Sequence, residues 1–374
     1  MASRRQWHLS VLSAIVGAAL LAACGGGDSG PSTTRVVSFG DSLSDLGTYS
    51  PATSLAGTGA APFFAGRFTT NTHTGYTAAS NSNTATIWVE WVATRLGVAI
   101  TQAAVGFATT NIACPAAANP ALASSCTAYG QGGSRVTDPN GIGKASGFLT
   151  VPIVTQVTNH LTRFSKFETT DIVFMLGGAN DLLIQFGAVA QGLPPATAVA
   201  NMQTAGTQLA AIVKDQIVAK GATRVAVMTL PDIARFPAFN QLPAANTALL
   251  AQLATAFNTA VATGLAGVDV RYIDNQAFFS DIVANPAKYG FTNITTAACD
   301  PAKIAAVTGG RVTDGSSLFC NAAAGQPFNG MKTGASASTW LFADGVHPTT
   351  GGHKVWADYV IAQLKDFGWM PVNQ

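Results

Sequence analysis

Ser42 is the first side chain of this 374-residue sequence that stands where a hydroxyl could act as a nucleophile. It follows Val36-Val37-Ser38-Phe39, which suits a buried strand, and Gly40-Asp41, which are poor strand residues and good turn residues. The serine therefore sits just beyond the carboxyl end of a predicted strand. In open α/β sheets ligands bind at that edge, so the hydroxyl is a candidate for covalent catalysis. Three more short polar signals follow: Gly132-Gly133, then Gly178-Ala179-Asn180-Asp181, then Asp344-Gly345-Val346-His347-Pro348.

Taken in this order with Phe39-Gly40-Asp41-Ser42-Leu43-Ser44-Asp45, these blocks resemble the SGNH/GDSL family of serine esterases and lipases, from about residue 35 to 365. The resemblance implies Ser42 as nucleophile, His347 as general base and then acid, and Asp344 as the carboxylate that orients the imidazole. Their shared loop lets Asp344 meet Nδ1 of His347, which leaves Nε2 free to take the serine proton. Pro348 keeps His347 out of helical conformation. The implied oxyanion hole comprises the Ser42 and Gly132 backbone N–H groups and the Asn180 side chain. Gly133 is the alternative to Gly132, because Ala128-Tyr129-Gly130 stands where the family has Asn-Tyr-Ala and the alignment can slip by one. No cofactor or metal is implied, and no Cys-x-x-Cys or His-x-x-x-His spacing suggests zinc. His353 reads as structural, and His73 and His160 carry no pattern.

The elements that must position these groups alternate between strand and helix. Residues 171–176 form a short continuous apolar run ending before Gly177-Gly178, as in a strand buried on both faces, and this delivers Asn180 to the same kind of edge as Ser42. Strands are also predicted at 98–105, 224–229 and 268–273, and helices at 86–96, 151–167, 196–219 and around 250–261. Trp88, Trp91, Val92 and Leu96 share one helical face and read as core. The alternation predicts a parallel sheet covered on both faces in one domain, 35–374. The resemblance makes this a three-layer α/β/α, flavodoxin-like hydrolase with a mainly parallel sheet and long loop insertions. Loops are predicted at 49–83, 106–147 and 278–339, the first and last shaping the pocket.

Composition excludes other classes. With 48% hydrophobic and 10% charged residues the chain is not a disordered one, and a net charge of +2 with scattered basic residues leaves no nucleic-acid footprint. Arg4 and Arg5 before the apolar run 9–23 read as a secretory signal over 1–23. Leu21-Ala22-Ala23-Cys24 resembles a bacterial lipobox, with Cys24 lipidated and 24–34 a flexible tether. A plain secreted protein is the other reading. The remaining four cysteines allow three pairings, and local closure favours Cys114 with Cys126 and Cys299 with Cys320. The expected protein is an exported serine ester hydrolase, lipid-anchored in the bacterial envelope or secreted, acting on small-molecule or lipid esters of short to medium acyl chain. Phospholipid acyl transfer is the enzymatic alternative, and a non-catalytic lipoprotein binding lipid or carbohydrate is the alternative of another class.

Overall fold

Short apolar runs separated by helices build a sheet whose strands all leave in one direction. The computed structural model describes residues 31–53, 66–73, 83–323 and 329–371. In chain order the strands are β1 (Arg35–Gly40), β2 (Thr101–Gln102), β3 (Ala104–Phe107), β4 (Thr110–Ala113), β5 (Cys126–Ala128), β6 (Asp171–Leu176), β7 (Val225–Met228) and β8 (Arg271–Ile273). The α-helices are α1 (Ser50–Thr53), α2 (Trp88–Arg95), α3 (Ile153–Phe164), α4 (Ala179–Ala190), α5 (Pro195–Ala211), α6 (Ala244–Gly264), α7 (Asn275–Ala284), α8 (Pro301–Val307) and α9 (Thr350–Asp366).

Six strands form one sheet in the order β2-β5-β1-β6-β7-β8, with every pairing parallel. β1 and β6 run in full register, from Arg35 opposite Asp171 to Gly40 opposite Leu176. They stop together, so the residues that follow them emerge at one edge. All six residues of β6 are buried, as expected of a strand covered on both faces. On one face Trp88 of α2 meets Phe174 edge-on and packs against Trp356 of α9. On the other, His160 of α3 packs edge-on to Phe39 of β1. Helices on both faces of a parallel sheet make the expected three-layer α/β/α fold.

The departures from expectation lie where the elements are short. The predicted strand 98–105 is broken: β2 joins the sheet edge, whereas β3 turns away to pair with β4 as an antiparallel hairpin. The predicted loop 106–147 contains β4 and also β5, which sits between β2 and β1. Three residues, Cys126-Thr127-Ala128, are too few and too small to give an apolar run, yet β5 is what carries the following glycines to Ser42. Residues 278–339 are not irregular throughout, since they hold the rest of α7 and all of α8. Both local disulfides are formed, Cys114–Cys126 and Cys299–Cys320. The end of the predicted tether belongs to the domain: Arg224 donates to the Ser32 carbonyl and to Thr33 Oγ1, and Thr34 N–H donates to Thr170. The predicted signal and Cys24 lie outside the described residues, as does most of 49–83. Among the described residues no helix is long and apolar enough to cross a membrane.

Candidate active site

Ser42 opens a single 3-10 turn, Ser42–Ser44, directly after β1. Asp41 caps that turn by accepting from Leu43 N–H at 3.1 Å. Trp88 Nε1 donates to the Leu43 carbonyl at 2.9 Å, which pins the turn to the core beneath it. The half-buried hydroxyl is thereby fixed at the sheet edge, and His347 Nε2 lies 2.8 Å from Ser42 Oγ.

The loop bearing His347 is closed on itself before α9 begins. Phe342 and Pro348 form an antiparallel bridge, and Ala343 N–H donates to the His347 carbonyl at 2.8 Å. Inside the loop, Asp344 Oδ1 accepts the N–H groups of Val346 and His347, at 3.0 and 2.9 Å. Both carboxylate oxygens also lie 2.8–2.9 Å from His347 Nδ1. Ser317 N–H donates to Oδ2 at 2.8 Å from within the segment closed by the Cys299–Cys320 disulfide. Burial pushes the Asp344 carboxyl up. The adjoining His347, their hydrogen bond and Ser317 pull it further down, so it stays ionised well below the usual carboxylate range. Phe68 covers the outer face of the imidazole, with ring centroids 4.9 Å apart.

The structure brings Ser42, Asp344, His347, Gly132, Gly133 and Asn180 around one cavity of ≈ 420 Å³. It also distinguishes the two glycines. Gly132 N–H donates to Asp45 Oδ2 at 2.9 Å and is therefore not free to meet an oxyanion. Gly133 N–H has no acceptor among the described residues. Gly133 has φ +81°, and a Cβ there would lie 2.0 Å from the Ile142 carbonyl oxygen, so conformation and space both require glycine. The Ser42 N–H is likewise without an acceptor among the described residues. Asn180, in the first turn of α4, gives one amide hydrogen to the Ser134 carbonyl at 2.9 Å, which leaves the other available to the cavity that Asn180 lines.

Asp181 ties these two elements together. It accepts from Arg135 Nε at 2.9 Å and from Val136 N–H at 3.0 Å, so the glycine turn and the start of α4 cannot drift apart independently. Asp45, Asp181, Phe68 and Ser317 all hold or cover the site, and none stood out in the sequence as part of it. Asp45 and Asp181 fall inside the polar blocks, and Phe68 stands in Gly66-Arg67-Phe68-Thr69, which resembles a stretch found in many members of the SGNH/GDSL family. His353 is fully buried, with Nδ1 accepting from Trp88 N–H at 3.4 Å, in keeping with a structural part. Among the described residues no cluster of His, Cys, Asp and Glu could hold a metal ion.

The rest of the cavity wall is largely apolar, with Leu43, Ile142, Phe148, Leu183 and Phe236 among its side chains. Among solved structures, the chain is similar to an extracellular lipase from Streptomyces rimosus, at 14% identity and TM-score 0.40, covering 88% of this chain and 99% of that one. It is also similar to phospholipase A1 from Streptomyces albidoflavus NA297, at 13% identity and TM-score 0.37, with the same coverages of 88% and 99%. No curated protein matches the sequence. The family model described as GDSL-like Lipase/Acylhydrolase spans residues 36–360, which hold every side chain of the site, and the chain therefore belongs to that family of ester hydrolases.

Proposed function

We propose that the protein is an exported serine carboxylester hydrolase working through an acyl-enzyme on Ser42. The observation that carries this reading is the continuous hydrogen-bonded line from Asp344 through both nitrogens of His347 to Ser42 Oγ, with 2.8 Å at each end. Ser42 attacks the ester carbonyl while His347 Nε2 takes its proton, and Asp344 stabilises the imidazolium. The oxyanion that forms meets the N–H groups of Ser42 and Gly133 and the Asn180 amide. His347 then returns the proton to the leaving alcohol. Water activated by the same nitrogen releases the acid and restores Ser42.

The apolar wall suits the acyl chain, and a cavity of ≈ 420 Å³ supports a short to medium one. The two disulfides support export to an oxidising compartment. Lipidation at Cys24 belongs to the same proposal, on the strength of the Leu-Ala-Ala-Cys ending.

The test is labelling with a fluorophosphonate, followed by kcat/KM on p-nitrophenyl esters of increasing acyl length. Labelling of Ser42 alone and loss of roughly 10⁴ or more in kcat for a folded Ser42→Ala are expected. Retention of activity in that variant overturns the serine mechanism. A maximum at long chains with activation by phospholipid vesicles overturns the chain-length reading in favour of a lipase or acyltransferase.

A further inference from the structure

Tyr49 is fully buried, lies outside the cavity wall and touches none of the reacting groups. It packs behind two aromatic side chains that do form the wall, with ring centroids 6.3 Å from Phe68 and 4.3 Å from Phe148. Its hydroxyl donates to the Gly132 carbonyl at 2.6 Å and accepts from Thr150 N–H at 3.3 Å. Because the amide can only donate, the Tyr49 proton is directed to Gly132.

The Gly132 carbonyl belongs to the same peptide plane as the Gly133 N–H. In a trans peptide the two point in opposite directions, so holding the carbonyl on the Tyr49 side aims the N–H at the other side, where Gly133 lines the cavity. With no Cβ on either residue, this plane turns more readily than one between other residues, since glycine has broad freedom in φ and ψ, and Ile142 N–H, donating to the Gly133 carbonyl at 3.0 Å, holds only the plane that follows. Asp45 fixes the preceding plane through Gly132 N–H but leaves this one free. A hydrogen bond to a carbonyl also polarises its amide, and Thr150 N–H enters the same chain from behind, which strengthens each donor in turn. Burial, with the charge of Asp45 second, keeps the phenol protonated far beyond its usual range.

We propose that Tyr49 is a positioning residue of the oxyanion hole, aiming and polarising the Gly132–Gly133 peptide so that Gly133 N–H meets the developing oxyanion. The inference rests on the serine-hydrolase reading above and adds a residue to it. Removing an oxyanion donor outright costs about 10²–10³ in kcat. Tyr49→Phe keeps the ring and the donor but frees the plane, so a loss of about tenfold is expected.

The experiment compares wild type, Tyr49→Phe and Ser42→Ala on a p-nitrophenyl ester, with active sites counted by fluorophosphonate titration. Affinity is also measured for an alkyl boronic acid, whose tetrahedral adduct places an oxygen in the hole. For Tyr49→Phe, kcat per titrated site should fall about tenfold, KM should stay within about twofold, and boronic-acid affinity should fall in step with kcat. A merely structural tyrosine would lower the number of titrated sites and leave kcat per site unchanged; that result, or a rise in KM alone, overturns the inference. If Tyr49→Phe does not fold, 3-fluorotyrosine placed at position 49 keeps the packing and makes the hydroxyl a stronger donor. Boronic-acid affinity should then rise, and no change or a fall overturns the proposal. An active Ser42→Ala would instead overturn the serine reading and this inference with it, whereas an inactive Ser42→Ala beside a fully active Tyr49→Phe removes the inference alone.

Discussion

Asp41 gives a prediction whose size can be worked out. Its carboxyl is 1% exposed, Oδ1 accepts from Leu43 N–H, and Oδ2 has no partner among the described residues. Burial raises its pKa from 3.8 to about 6; the Leu43 N–H and the charge of His347 oppose the rise, and the charge of Asp181 adds to it. A tenfold change in proton affinity is worth about 1.36 kcal/mol. Over roughly two pH units, keeping Asp41 ionised inside the fold therefore costs about 3 kcal/mol. The folded state binds the proton more tightly than the unfolded chain. The stabilisation from the bound proton is therefore complete below about pH 3.8 and is lost as the pH rises through about 6.

Asp41→Asn removes this dependence while keeping an oxygen to accept from Leu43. Its amide can bring a cost of its own, but that cost does not change with pH and cancels when two pH values are compared. Urea unfolding of both proteins at pH 4 and pH 8 supplies the comparison. The stability of Asp41→Asn relative to wild type should be about 2 kcal/mol more favourable at pH 8 than at pH 4, less than the full 3 kcal/mol because at pH 4 the unfolded carboxyl is already partly ionised, with the change centred between them. A difference that is constant with pH, or that moves in the opposite direction, would refute the argument that burial dominates at Asp41.

Two further outcomes follow from the same geometry. Asp344→Asn should keep the fold and lower kcat by about 10⁴ at neutral pH, because the amide no longer holds the tautomer with Nε2 free; a loss under tenfold on a p-nitrophenyl ester would contradict the orienting role. Replacing Cys299 and Cys320 together by Ser should cost about 3 kcal/mol of stability in thermal or urea unfolding, and should lower kcat at temperatures where the protein is still folded, since Ser317 N–H on Asp344 comes from the freed segment. Unchanged kcat in the folded variant would separate that segment from the site.

Much of the site was legible because its groups sit in short polar blocks at the ends of strands. Residues 171–176 were readable as β6 from composition alone, and once β6 and β1 end in register the placement of Ser42 and Asn180 at one edge follows. Asp344 and His347 were readable because their interaction is local, within three residues. β5 was not, since Cys126-Thr127-Ala128 gains its identity as a strand from its neighbours: Thr127 Oγ1 donates to the Val36 carbonyl, and Tyr129 N–H to the Ser38 carbonyl. Ser317 was hidden for a similar reason: its N–H reaches Asp344 from 27 residues away, and it belongs to no pattern of spacing.

The choice between Gly132 and Gly133 shows where sequence reasoning ends on physical grounds. The two residues are identical, and what separates them is the direction of two peptide planes. Asp45 takes the N–H of the first plane from 87 residues away, and Tyr49 takes the carbonyl of the second from 83 residues away. Neither interaction leaves a mark on the glycines themselves. Only when Asp45 and Tyr49, in the stretch after β1, are brought against the turn that follows β5 does one N–H become occupied and the other free. In the proposed mechanism, the oxyanion donor is therefore selected by the residues that follow the nucleophile. On that proposal Asp45 and Tyr49, three and seven places after Ser42, belong to the architecture of the hole without lining it.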